Sequence, residues 1–308
     1  MFQRILVATD GSARARAAFE WACNLAYHAG AEIVLLRVLP VVATDREFEQ
    51  AHQMLDKLAE QGRSKGVKGH TLVAFGAPEE AIAMVARDEQ SDLLVAAARP
   101  RGGLGAMTHP RLTWRLQAHA AVPVLIWPEH MPAEATDGPL ARRGSSVLVP
   151  LDGSTYAEEA LPLAASLARE YRRTLLLVRV VEPMPITASG AEAVAVMRTE
   201  YDLDAREVRG YLAAVRMRVA NMTGLTVEAM MRTGDAADQF LHLAEGYPDS
   251  LIVMTTHGRS GLARFLTGSV AGDIVRRAHL PVLIIPPRAV REKTIPQLEQ
   301  LAVDAVEH

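Results

Sequence analysis

The sequence predicts an α/β protein built as two tandem domains, each a five-stranded parallel sheet flanked by helices, and three observations carry that expectation. First, the 308-residue chain is one unit written twice. RILVATDGSARARAA (4–18) matches SVLVPLDGSTYAEEA (146–160) and AEIVLLRVL (31–39) matches RTLLLVRVV (173–181), both at an offset of 142. FGAPEEAI (75–82) then matches TGDAADQF (233–240), DLLVAAA (92–98) matches SLIVMTT (250–256) and AAVPVLIWP (120–128) matches AHLPVLIIP (278–286), all at an offset of 158. A repeat of this size decides the domain count before any other reading does. Second, each copy alternates short aliphatic runs such as ILVATD and EIVLLRVL with longer segments carrying apolar residues at helical spacing, such as RARAAFEWACNLAYHA. Near-continuous apolar strands between helices are the pattern of a parallel sheet buried on both faces. Third, hydrophobic residues make up 49% of the chain, charged residues 22% and aromatics only 5%, so aliphatic side chains must build the cores of a soluble globular protein.

Each copy reads as five strands and four helices. The first strand runs into Asp10-Gly11-Ser12 or Asp152-Gly153-Ser154, residue types suited to a tight turn into a helix N-terminus. The third strand ends at Gly76 or Gly234; Pro78 then falls in a first helical turn, and Asp235 can cap the matching helix. The rise in offset from 142 to 158 places 16 additional residues between the second and third strands of the second copy. The boundaries expected are a first domain over 1–130, a linker over 131–144 rich in Pro, Gly and small polar residues, a second domain over 145–287, and a tail over 288–308. In the tail, Ile295, Leu298, Leu301, Ala302, Ala305 and Val306 would share one face of a helix. The last strand of each copy would leave an apolar edge, and pairing of the two copies within the chain would cover both; a homodimer of whole chains is a further assembly to test.

A net charge of −3 and a pI near 6.4 give no general attraction to nucleic acid or to an anionic membrane. No apolar run reaches the length of a membrane span, and MFQRILVATDGS lacks the regions of a signal peptide, so cytoplasmic residence is the expectation. The one cysteine, Cys23, forms no internal disulfide and reads as core packing. The chain has no G-x4-G-K-[S/T] loop, no G-x-S-x-G elbow, no H-E-x-x-H and no cysteine pair for zinc, which argues against a primarily catalytic role.

In open α/β sheets ligands sit beyond the carboxyl ends of the strands where strand order reverses, so residues just after strands compete for a site. After the fourth strand of the second copy comes MTTHGRSGLARFLTGSV (254–270). There Gly268-Ser269 stands where a helix would start, whose free N–H groups favour an anion. Arg259 and Arg264 read as solvated loop residues and His257 as a plain loop histidine.

VLVPLDGS, then IVMTTHGRSGL with nine residues from Gly258 to Gly268-Ser269, then PVLIIP, together resemble the universal stress protein family, here as a tandem two-domain member. The resemblance covers both halves apart from the linker and tail. It implies a Rossmann-like (adenine nucleotide alpha hydrolase-like) fold of strand order 3-2-1-4-5 and ATP, with or without Mg²⁺, held through a motif of the form G-x2-G-x9-G-S/T. Carried over by position, Asp152 would contact ribose or adenine, Pro150, Val180 and Met254 would line the base, and Gly258, Gly268, Ser269 and Val270 would hold phosphates. Thr255 stands where the motif has its first glycine. The first copy departs further: Ala97, Pro100, Pro110 and Arg111 occupy the positions of Thr255, Gly258, Gly268 and Ser269. The implied function is an ATP-binding regulatory or stress-response protein with one adenine nucleotide site, in the second domain. A nucleotide-free interaction scaffold and a weak ATPase are the alternatives.

Overall fold

A computed structural model describes residues 2–98, 122–128, 131, 139–140, 143–182, 191–255 and 269–286. The first copy runs β1 (Arg4–Ala8), α1 (Ala13–Ala29), β2 (Glu32–Leu39), α2 (Asp45–Ser64), β3 (Gly69–Phe75), α3 (Pro78–Asp88), β4 (Leu93–Ala97) and β5 (Val124–Trp127). The second runs β6 (Ser146–Pro150), α4 (Thr155–Glu158), α5 (Leu161–Glu170), β7 (Thr174–Val181), α6 (Ala191–Thr223), β8 (Val227–Thr233), α7 (Ala236–Glu245), β9 (Leu251–Thr255), α8 (Ser269–Arg277) and β10 (Val282–Ile285).

Each half has the order 3-2-1-4-5, and the halves join into one ten-stranded sheet, β3-β2-β1-β4-β5-β10-β9-β6-β7-β8. Within each half the strands pair in parallel; β5 and β10 meet antiparallel, with Val124↔Ile284, Leu125↔Leu283 and Ile126↔Val282. Leu125 and Leu283 are equivalent positions of the repeat, so the ladder is centred on a local two-fold axis. The apolar edge that each last strand would expose is therefore covered by its counterpart.

Alternation along the strands splits the core into two layers that each run through both halves. On one face Ile5, Val7, Val147, Val149, Leu251 and Leu283 pack under α1, α2, α5 and α6. On the other, Leu6, Val34, Leu148, Leu176, Ile252 and Ile284 pack under α3, α7 and α8. Cys23 lies inside the first layer, and burial pushes its thiol up to about 12, so it is packing and not a reactive thiolate.

The helix boundaries follow local chemistry. Ser12 caps α1, which ends at Gly30 in the left-handed region (φ 67°). Thr44 and Glu47 form a capping box on α2, Pro78 opens α3, and the Asp235 carboxylate accepts the Asp238 amide at 2.9 Å to start α7.

Three features differ from the sequence reading. The first helix of the second copy is broken into α4 and α5, because Pro162 has no N–H and its ring crowds the carbonyl four residues earlier. The longer connection of the second copy contains the 33-residue α6, against 20 residues in α2. Inside the span read as linker, Leu140 is fully buried, its N–H donating to the Asp249 carbonyl at 2.7 Å and its own carbonyl accepting Arg173 Nε at 2.8 Å. The fourth helix of the first copy and the tail helix fall outside the described residues. Among those described, no helix is long and apolar enough to cross a membrane.

Candidate functional site

The order of strands reverses between β1 and β4 and again between β6 and β9, and at both places an Asp-Gly-Ser turn follows the central strand. The two turns are built alike. In the first copy Asp10 Oδ1 accepts the Ser12 amide at 3.0 Å, and Ser12 Oγ accepts the Ala15 amide at 3.2 Å. In the second, Asp152 Oδ1 accepts the Ser154 amide at 2.9 Å and the Ser154 hydroxyl at 2.6 Å, while Ser154 Oγ accepts the Ala157 amide at 3.1 Å. The carboxylate thus fixes the turn and the serine caps the helix. Gly11 and Gly153 take φ of 82° and 84°, a region that penalises a side chain.

Around the second turn the structure assembles a charged group that the sequence reading did not pick out. The Arg179 guanidinium lies against Gly153 and over the ring of Tyr211 on α6, 5.1 Å from its centroid, a cation–π geometry. Glu158 pairs with Arg218 of α6. Burial first, then the Glu158 carboxylate, raise the Tyr211 phenol well above its ordinary range. The available signal was the repeat itself, which places arginine at both 37 and 179. Tyr211 lies in the helix unique in length to the second copy, with no pattern to connect it to Arg179.

The ladders beside the turns differ. β1 and β4 pair continuously up to Ala8↔Ala96. β6 and β9 pair at Val147↔Leu251 and Leu148↔Ile252, short of Pro150. Amides alternate sides along a strand, and the Leu151 N–H donates to Val178 on β7 at 2.8 Å, so position 150 turns its nitrogen toward β9. Proline has no hydrogen there to extend the ladder. Replacing Pro150 with alanine is expected to leave stability within about 1 kcal/mol, since one added hydrogen bond is offset by a looser unfolded chain. The new amide that the alanine brings to position 150 should exchange slowly, which mass spectrometry of deuterium uptake would read; rapid exchange there would mean that the ladder does not extend.

Pro150, Asp152, Met254 and Thr255 fall at the carboxyl ends of the neighbouring strands β6 and β9, and Val180 falls near the same end of β7. Met254 and Thr255 are buried while Pro150, Asp152 and Val180 are half-buried. Ser269 opens α8, and Val270 packs against the core layer that holds Met254. Gly258 and Gly268 lie outside the described residues. In the first copy the corresponding place is a crevice open to solvent, lined by Ala8, Asp10, Val38 and Ala96 among others. Among the described residues there is no group of three or more His, Cys, Asp or Glu side chains placed to hold a metal ion.

Fold and turn geometry define the class: a tandem α/β protein of doubly wound halves, each reversing its strand order between its first and fourth strands. The chain belongs to the universal stress protein family, whose profile matches residues 1–128 and 145–286. It is 32% identical over 139 residues to a universal stress protein of Methanocaldococcus jannaschii, covering 45% of this chain and 80% of that one. A universal stress protein of Mycolicibacterium smegmatis aligns over 92% of this chain and 97% of its own length at 24% identity. Among solved structures, a universal stress protein of Archaeoglobus fulgidus covers 92% of this chain and 96% of its own with a TM-score of 0.65 at 19% identity, a likeness of fold. A functionally unknown protein of Pseudomonas aeruginosa gives 0.67 at 19% identity over 98% of both chains.

Proposed function

We propose that this protein binds one adenine nucleotide, ATP, in its second half and acts as a regulatory protein of the stress response, with binding rather than turnover as its primary activity. The observation that carries this reading is the convergence at the β6–β9 switch point of the Asp152 turn, the ladder left open beside Pro150, and a helix beginning at Ser269. A helix N-terminus preceded by Gly258 and Gly268 suits a phosphate chain, since its amides and dipole both favour an anion. The Asp152 carboxylate suits a sugar hydroxyl or an adenine amine as donor. Any Mg²⁺ would arrive with the nucleotide. The two halves, joined through β5 and β10, form the unit that responds.

Calorimetric titration tests the assignment. Asp152→Ala should weaken ATP binding by about tenfold to a hundredfold, the range for a hydrogen bond to a charged group. Arg111→Ala, at the first-copy position equivalent to Ser269, should leave it unchanged. Absence of binding at millimolar ATP would point to a nucleotide-free scaffold, and steady turnover that disappears in Asp152→Ala would point to an ATPase.

A further inference from the structure

We infer that, on the nucleotide reading of the second half on which this rests, Arg179 is a positioning residue for the Asp152 turn and is itself held in place by the ring of Tyr211. Side chains alternate along β7, so Leu175, Leu177 and Arg179 share the face packed under α5 and α6. The helix that opens at Ser269 covers the other face, so Arg179 reaches the turn from the side away from α8. Its guanidinium lies against Gly153, the residue between Asp152 and Ser154, and the Tyr211 ring stands behind it, 5.1 Å away. A planar guanidinium stacks on an aromatic face, so the turn rests on a pre-organised pair.

The first half contains the same turn and the same arginine without the aromatic ring. Buried Ala51, Leu55, Leu58 and Gly62 of α2 correspond to buried Val208, Leu212, Val215 and Val219 of α6, which sets Met54 where the second half has Tyr211. There the Met54 thioether lies against Gly11 itself. Arg37, equivalent to Arg179, directs Nη1 to the Thr9 carbonyl at 3.3 Å. A thioether fills the place over the glycine, whereas an aromatic face attracts the cation into it. The residue on the covering helix thus goes with the seat that the arginine takes.

The neighbouring charges agree with this arrangement. Arg179 and Asp152 both act on the Tyr211 phenol, with opposite sign, so cation, carboxylate and ring are close neighbours. Glu158, at the end of α4, pairs with Arg218, which lies two turns of α6 beyond Tyr211 and on the same side of it. The turn and the short helix after it are therefore tied to α6 at two points. Asp152 accepts both the amide and the hydroxyl of Ser154, so a turn that tilts carries the carboxylate with it. The groups that a ligand would meet at Asp152 depend in this way on a ring from the opposite face of the sheet.

The test uses the full chain, first without ligand. Hydrogen exchange of the Ser154 amide, read by NMR, should quicken at least about threefold in Tyr211→Leu and in Arg179→Gln. Tyr211→Phe keeps the aromatic face and should stay near the unaltered rate. Calorimetry with ATP follows: Tyr211→Leu should weaken binding about threefold to tenfold, and Tyr211→Phe less than about twofold. In an Asp152→Ala background the further loss from Tyr211→Leu should vanish, because a positioning residue acts only through the group it positions. Losses that add, a phenylalanine variant as poor as the leucine variant, or Ser154 exchange unchanged in both Tyr211→Leu and Arg179→Gln would each overturn the positioning role. Absence of ATP binding by the unaltered chain would remove the nucleotide reading, while the exchange rates would still decide whether Arg179 and Tyr211 hold the turn.

Discussion

Trp127→Ala should destabilise the protein by about 3 kcal/mol, a large effect for a single core change. Trp127 is completely buried at the end of β5, paired with Ala97 and packed in the layer that also holds Val147, Val149 and Leu283 of the second half. Truncating a buried aromatic costs about 3–5 kcal/mol in lost transfer energy and cavity. The lower end applies because Trp127 Nε1 is buried without a hydrogen-bond partner among the described residues, and its removal recovers part of that penalty. Trp127→Phe, which keeps most of the volume and removes the unpartnered N–H, should cost less than about 1.5 kcal/mol. Denaturant unfolding checks both values. Because the core layer is shared, one transition should shift as a whole; movement of only one of two separate transitions would show that the halves unfold independently.

Gly153→Ala is the second large effect, and its size depends on Arg179. At φ 84° a side chain costs about 1–2 kcal/mol from backbone strain alone. The added methyl would also collide with the Arg179 guanidinium, and moving that group off the Tyr211 ring forfeits about 0.5–1 kcal/mol of cation–π attraction. The equivalent change in the first half, Gly11→Ala, meets the thioether of Met54, a flexible group that moves aside easily, so only the backbone cost applies. Gly153→Ala should therefore cost more than Gly11→Ala by about 0.5–1 kcal/mol. In an Arg179→Ala background the two should cost the same; a difference that persists there would locate the strain elsewhere.

How much was readable from the sequence varies with how far each contact spans the chain. The strands follow from aliphatic patterns of a few residues repeated twice and the caps at Pro78 and Asp235 from single residue types, whereas the strand order in each half came only with the family resemblance. The break at Pro162 was also local, yet the match of TYAEEA to the first copy's helix concealed it. Leu140 is a single apolar residue in a Pro- and Gly-rich stretch, without a period to mark it as buried, and only the folded chain brings Asp249 and Arg173 to it. Of the candidate site, the Asp152 turn was legible because its hydrogen bonds span two or three residues. The Arg179–Tyr211 contact joins a strand to a helix 32 positions away and has no counterpart in the first copy to compare. Pro150 was visible as a lining residue, but its effect on the β6–β9 ladder required knowing which side of the strand its nitrogen faces.

Titration of the full chain with ATP by isothermal calorimetry, repeated on Gly268→Pro, tests the central claim most directly. One equivalent of ATP per chain, lost in Gly268→Pro, is the predicted result. Two equivalents per chain, or a single equivalent unaffected by Gly268→Pro, would contradict a nucleotide site confined to the second half.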